Sequence, residues 1–261
     1  MKALVLFIVL IVVSPTLGQD EKEITNSIGM QLVLISPGTF TMASHREEVG
    51  KKSNDEEVTI NNPFYLGVFE VTQGEYLNVL GDNPSKFKGA RNPVEKVSWD
   101  DAVSFCKKLS ELPEEKAAGR QYRLPTEVEW EYACRGGSQS VFSFGDSLED
   151  LGKYAWFNEN SGSMTHPVGQ KKANAWGLYD MQGNVLEWCQ DVYINRQTDA
   201  EPDPQGPRPG KGPSPGLGRV SRGGGWNLVA GYCRSARRST LDSSERFFNV
   251  GFRIAQSLPI K

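Results

Sequence analysis

The chain has 261 residues, 38% hydrophobic and 10% aromatic, which is enough apolar material for one large domain or two small ones. Its formal charge of −3 gives no support for nucleic-acid binding, which needs a basic face. With 27 Gly and 15 Pro residues, the polypeptide is expected to be rich in loops and turns.

The first 18 residues have the pattern of a secretory signal peptide. Lys2 supplies the positive start, residues 3–13 form an apolar run, and small residues lead to a cleavage point expected after Gly18. We therefore expect an exported, periplasmic or extracellular protein with no membrane span in the mature chain.

The first third of the chain predicts strands. A hairpin is expected from residues 31–35 and 38–42, with a turn at Ser36-Pro37-Gly38. Residues 44–57 are charged and lack an apolar period, which predicts a solvated loop. Strand character resumes at residues 58–60 and 64–69.

Helices are predicted where a capping residue precedes apolar positions at helical spacing. The first has Thr72 as N-cap and Glu75 as its capping-box partner and ends near Gly81. The second is capped by Ser98 or Asp100. The third covers residues 127–133, after the capping box formed by Thr126 and Glu129, and ends at Arg135-Gly136-Gly137.

The remainder of the chain is irregular. Short aromatic pieces at 142–145 and 154–157 precede the central stretch, and a long Pro- and Gly-rich loop is expected at 197–218. Closing strands are predicted at 219–226 and 249–254. Because strands do not alternate regularly with helices, the pattern favours a loop-rich α+β domain over a parallel α/β fold.

The central stretch, residues 177–188, reads GLYDMQGNVLEW. Gly183 and Asn184 indicate a turn, since both residue types tolerate positive φ, and Asp180 and Glu187 bracket that turn. Carboxylate and carbonyl oxygens around one point are the ligands that Ca²⁺ prefers. The alternative is a core hairpin or loop whose carboxylates cap backbone N–H groups.

The four cysteines are Cys106, Cys134, Cys189 and Cys233. Export would place them in an oxidising compartment, so disulfides are expected, with three pairings open. Their wide, irregular spacing is not typical of a zinc site.

Several segments together resemble one family, the formylglycine-generating enzymes or sulfatase-modifying factors. They occur in family order over about residues 24–256 and include EVTQ at 70–73, RLPTEVEWEYA at 123–133, the central stretch, RGG at 222–224 and GFR at 251–253. The resemblance implies a single domain of the formylglycine-generating fold, related to C-type lectin domains and low in regular secondary structure.

The resemblance also implies an activity and its residues. The family oxidises a sulfatase cysteine to formylglycine with O₂, using two cysteines that bind Cu(I), a soft ion that favours thiolates. Cys233 matches the second cysteine, but Leu228 occupies the position of the first, and Gly225 that of an active-site serine. We therefore do not expect a Cu(I) site, and Cys233 is otherwise a half-cystine or a small buried thiol.

Two further sites are suggested. Carried over from the family, one calcium site would use Asp180, Gly183, Val185 and Glu187. Ligand-binding residues are predicted next to Cys233: Trp226, Tyr232, Arg234 and Arg237. The basic cluster of Arg234, Arg237 and Arg238 could bind an anionic ligand or a peptide carboxylate. Aromatic side chains could line a pocket there: Trp226, Tyr232, Phe247 and Phe248. The alternatives are ion pairing of the arginines with Asp242 or Glu245 and burial of the aromatics in the core.

Two functions follow from the resemblance. The first is a non-copper, non-catalytic member that binds a peptide, protein or glycan on a calcium-braced scaffold. The second is a formylglycine-generating oxidase that acts on a sulfatase cysteine. The replacement of a copper-binding cysteine by Leu228 favours the first and leaves catalysis open.

Overall fold

A computed structural model describes residues 21–42, 56–193 and 218–258. The predicted signal peptide, most of the charged loop at 44–57 and nearly all of the loop at 197–218 lie outside the described residues. Among the described residues, no helix has the length and apolarity needed to cross a bilayer.

The described chain contains eleven strands and five α-helices. The strands are β1 (Glu23–Thr25), β2 (Gln31–Ile35), β3 (Gly38–Met42), β4 (Glu56–Ile60), β5 (Phe64–Gly67), β6 (Tyr122–Arg123), β7 (Leu186–Val192), β8 (Arg219–Arg222), β9 (Ser239–Leu241), β10 (Val250–Gly251) and β11 (Ala255–Ser257). The helices are α1 (Gln73–Leu80), α2 (Trp99–Glu111), α3 (Pro113–Ala117), α4 (Glu127–Arg135) and α5 (Leu151–Tyr154).

These strands form three sheets in the described chain. The largest is antiparallel, in the order β1-β2-β5-β11-β6. The second has the order β10-β7-β8-β9, in which only the β10–β7 pair is parallel. Strands β3 and β4 form a separate ribbon. Helices mixed with mostly antiparallel sheets confirm the predicted α+β class.

The predicted hairpin of residues 31–35 and 38–42 is wrong. Both strands exist, but β2 lies between β1 and β5, whereas β3 pairs with β4. The burial patterns give the reason. Leu32 and Val33 are both buried, so β2 is covered on both faces, and its backbone N–H and C=O groups, shut off from water, must pair on both edges, whereas β3 alternates and is partly exposed.

The three predicted helix starts are confirmed. Thr72, Ser98 and Thr126 are the N-caps of α1, α2 and α4, and each accepts a hydrogen bond from the backbone N–H three residues on. Helix α1 ends at Gly81, in the left-handed conformation at φ +82°. The short helices α3 and α5 were not predicted, since neither has a side-chain N-cap.

The expected disulfides are not present in the structure, where all four cysteines are buried free thiols. Cys106 packs in the largest apolar cluster, Cys134 and Cys189 in a second, and Cys233 in a third. The Cys134 and Cys189 sulfurs lie 3.8 Å and 4.0 Å from the Met181 and Glu187 carbonyl oxygens, respectively. The cysteines therefore behave as small core residues.

Candidate functional site

A cavity of about 530 Å³ opens at one end of the four-stranded sheet, and we call it the Leu228 cavity. Residues from β7, β9, β10 and the segments that join them line it: Leu186, Tyr193, Asn227, Leu228, Tyr232, Arg237, Arg238, Ser239, Thr240, Leu241, Phe247, Phe248, Asn249 and Val250. None of these lining residues, all within the described chain, is acidic, although the whole chain has a formal charge of −3.

Backbone hydrogen bonds connect this cavity to the central stretch. The Leu186 N–H donates to the Asn249 carbonyl, and the Trp226 N–H donates to the Asn184 carbonyl. The Leu228 N–H closes a turn on the Gly225 carbonyl, and a short 3₁₀-helix at Ala230–Cys233 then presents Tyr232. The segments that line the cavity are therefore hydrogen-bonded through their backbone to the four-stranded sheet and to the turn at Gly183-Asn184.

Leu228 and Cys233 cannot form a metal-binding pair, because leucine has no metal-binding atom. Leu228 is half-buried and lines the cavity, whereas Cys233 is fully buried and packs in a separate cluster with Phe142 and Phe157. No other described cysteine belongs to that cluster. Burial raises the pKa of the Cys233 thiol to about 12, so the thiol is protonated in the metal-free protein.

The aromatic residues predicted to line a pocket separate into two groups. Tyr232, Phe247 and Phe248 line the cavity and are 37%, 40% and 38% exposed, a high fraction for such large rings. Trp226 is only 7% exposed and lies behind the wall, where its indole N–H donates to the Phe248 carbonyl at 3.0 Å. Trp226 also packs edge-on against Phe87.

The three arginines beside Cys233 have different surroundings. Arg238 is buried and pairs with Glu127, with 2.8 Å between Nη2 and Oε2, so its predicted pairing with Asp242 or Glu245 is wrong. The Arg234 Nε donates to the Gly231 carbonyl. Arg237 lies over the Tyr232 ring at 4.3 Å from its centroid, and its buried Nε has no hydrogen-bond partner among the described residues.

A buried ionic network supports this wall. Glu131 accepts hydrogen bonds from Arg135 and Arg222, and all three side chains are at least 95% buried. The Nη1 atom of Arg222 donates to the Arg237 backbone carbonyl at 2.7 Å. The network therefore fixes the main chain that carries Arg237.

The predicted calcium residues lie in a second, fully buried acidic cluster. One Asp180 oxygen, Oδ2, accepts from the Gly169 N–H at 2.7 Å, and the other, Oδ1, has no partner among the described residues. Glu187 accepts from the Trp130 indole and twice from Arg253, at 2.6–2.7 Å. Glu70 caps the turn by accepting from the Val185 N–H.

The cluster contains more negative than positive charge. Asp180, Glu187 and Glu70 are buried around one arginine, Arg253. Burial, with the neighbouring carboxylates, raises the pKa of Glu70 well above its usual range, and burial raises the pKa of Asp180 to about 6. The described residues contain no group of three His, Cys, Asp or Glu side chains placed to hold a metal ion, so a cation here would rely on the unpartnered Asp180 oxygen and on backbone carbonyls. Most lone pairs of Glu187 are already used, so Asp180 would be the principal side-chain ligand.

In the turn inside this cluster, Gly183 is required for a reason other than the predicted tolerance of positive φ. Asp180 and Asn184 adopt positive φ, at 58° and 66°, but Gly183 does not. A Cβ on Gly183 would lie 2.4 Å from the Trp156 carbonyl oxygen. Gly183 is therefore required for close backbone approach, and Asn184 supplies the left-handed residue.

Known proteins similar to this chain share both its sequence and its fold. It is 32% identical over 277 residues to a protein named Chaperone protein LppX from Paenibacillus barcinonensis, covering 88% of this chain and 91% of that protein. It is 36% identical to the formylglycine-generating enzyme of Bos taurus, covering 78% of this chain but only 54% of that enzyme.

Two solved structures cover almost the whole fold. PvdO from Pseudomonas aeruginosa aligns with a TM-score of 0.76 at 28% identity, over 90% of this chain and 98% of that one. Treponema denticola variable protein 1 aligns with a TM-score of 0.74 at 29% identity, over 91% of this chain and 99% of that one. A profile described as the sulfatase-modifying factor enzyme 1-like domain matches residues 18–258. The chain therefore belongs to the sulfatase-modifying factor family.

Proposed function

We propose that this protein is an exported, non-copper member of its family that binds a polypeptide or glycan ligand in the Leu228 cavity. The observation that carries the proposal is the side chain of Leu228. It occupies the position that the family resemblance gives to a copper-binding cysteine, lines the cavity and has no metal-binding atom.

Two further observations support a binding role. The cavity is bordered by exposed aromatic rings, which are typical anchors in recognition sites. One relative with similarity along nearly its whole length is named a chaperone, a class of protein that binds polypeptides. Calcium at Asp180 would brace the turn that precedes Leu186 and so hold one wall of the cavity. The relation to C-type lectin domains stays a prediction.

The alternative is the formylglycine-generating activity of several relatives. It needs a second metal-binding group next to Cys233, and no other described cysteine packs in the apolar cluster that holds that sulfur. On this evidence we favour binding over oxidation.

An anaerobic Cu(I) titration of the mature protein tests the choice directly. We expect no tight one-to-one complex, and no aldehyde by mass spectrometry after incubation with Cu(I), O₂ and a sulfatase-type cysteine peptide. The Leu228→Cys variant, measured in parallel, puts a thiol at the position in question. Tight Cu(I) binding or aldehyde formation by the wild-type protein would refute the proposal.

A further inference from the structure

Resting on the proposed function, we infer that the Leu228 cavity recognises a polypeptide segment in which an acidic side chain or terminal carboxylate neighbours an apolar residue. Arg237 is the anion-binding group. Its guanidinium is the feature of the cavity that the fold leaves without a charged partner among the described residues.

The Arg237 guanidinium is fixed in position, but no carboxylate among the described residues neutralises it. Stacking on the Tyr232 ring orients the guanidinium plane, and the Arg222 hydrogen bond fixes its backbone carbonyl. Arg238, the adjacent residue, shows the contrast: its guanidinium binds the buried carboxylate of Glu127. Because Nε is buried, a carboxylate would reach the guanidinium at its Nη atoms, whose N–H groups suit two-pronged binding of a carboxylate.

The charge of the cavity points to the same ligand class. No acidic residue lines it within the described chain, whereas the whole chain has more acidic than basic residues. Among the described lining residues, an anionic group entering the cavity therefore meets no anion and one guanidinium without a carboxylate partner, that of Arg237. A cationic ligand would meet no carboxylate among the described lining residues.

The apolar part of the lining suits the apolar residue of such a segment. Leu186, Leu228, Leu241 and Val250 form apolar wall beneath the exposed rings. A leucine or phenylalanine side chain would bury apolar area against this wall. The amides of Asn227 and Asn249 also line the cavity, and a peptide backbone can use them.

An immobilised array of short peptides rich in Phe and Leu tests this inference. Each acidic peptide is printed beside a partner in which Glu is replaced by Gln and Asp by Asn, and all are probed with the labelled, calcium-loaded full chain. We expect wild-type protein to bind the acidic members about tenfold or more tightly, as expected for a charge-assisted hydrogen bond. Free peptides and uronic-acid oligosaccharides then compete for binding.

Two variants separate recognition from general charge effects. Arg237→Gln should bind acidic and amide peptides equally, while Arg91→Gln, which removes the same charge from an exposed position outside the cavity, should keep the preference. Equal binding of both peptide classes by wild-type protein would overturn the role of Arg237 but leave the binding function intact. Absence of peptide binding, or competition by the oligosaccharide alone, would overturn the polypeptide assignment. Aldehyde formation would instead refute the proposed function.

Discussion

Replacing Glu131 by Gln tests whether the ionic network behind the Leu228 cavity is essential for stability. The Glu131 carboxylate accepts from Arg135 at 2.8 Å and 2.9 Å and also from Arg222, and the side chains of Glu131 and Arg222 are completely buried. Gln keeps the shape but removes the charge, so it leaves two buried guanidinium groups with too little negative charge. Breaking a buried ion pair from one side costs about 3–5 kcal/mol.

That loss is a large part of the stability of an ordinary domain, which is about 5–15 kcal/mol. We expect Glu131→Gln to lower the melting temperature by about 6–20 °C, at 2–4 °C per kcal/mol for a chain of this size. Urea denaturation followed by tryptophan fluorescence gives the free energy of unfolding directly.

The matched control is Arg246→Gln, which breaks a pair of similar geometry at the surface. Arg246 binds Asp101 at 2.8 Å and 3.0 Å, but their side chains are 53% and 29% exposed. Exposed pairs contribute about 0–1 kcal/mol. If Glu131→Gln costs no more than this control, the argument from burial is wrong.

Three more predictions concern the acidic cluster and the glycine beside Cys233. Calcium should raise the melting temperature and EDTA lower it in wild-type protein but not in Asp180→Asn; an unchanged wild-type melt would count against the metal. In EDTA the folded-state pKa of Asp180 lies above its ordinary value, at about 6 against 3.8, so folding is favoured below pH 4 and stability is lost as pH rises toward 6. The Asp180 share of this loss is about 3 kcal/mol, and Asp180→Asn should remove that share from the pH profile of urea unfolding and leave the part due to Glu70, whose pKa is also raised. Gly224→Ala should cost about 2–4 kcal/mol, because φ is +77° and the new Cβ would lie 2.8 Å from the Cys233 sulfur. Gly231→Ala, with no neighbour within 4 Å, should be nearly neutral in the same denaturation assay, and equal losses would contradict the steric argument.

Helix caps and turn conformations could be predicted well from the sequence, because they depend on residues only a few positions apart. The capping boxes at Thr72 and Thr126 are contacts over three residues, and both are present. The positive φ of Asn184 is likewise a local preference. The motifs quoted for the family also contained Glu70 and Arg253, but nothing in their spacing indicated that both side chains lie beside Asp180 and Glu187.

Contacts between residues far apart in the sequence determined which strands pair and which charges pair. The separation of β2 from β3 follows from partners elsewhere in the chain, since burial on both faces outweighs a nearby turn sequence. The same holds for charge: Arg237 and Arg238 are neighbours of one residue type, yet Glu127 neutralises Arg238 from 111 positions away and leaves Arg237 at the cavity. Composition and motifs thus identified the family and the identity of Leu228, and only the packed structure determined which charges are buried, which are paired and which remain available to a ligand.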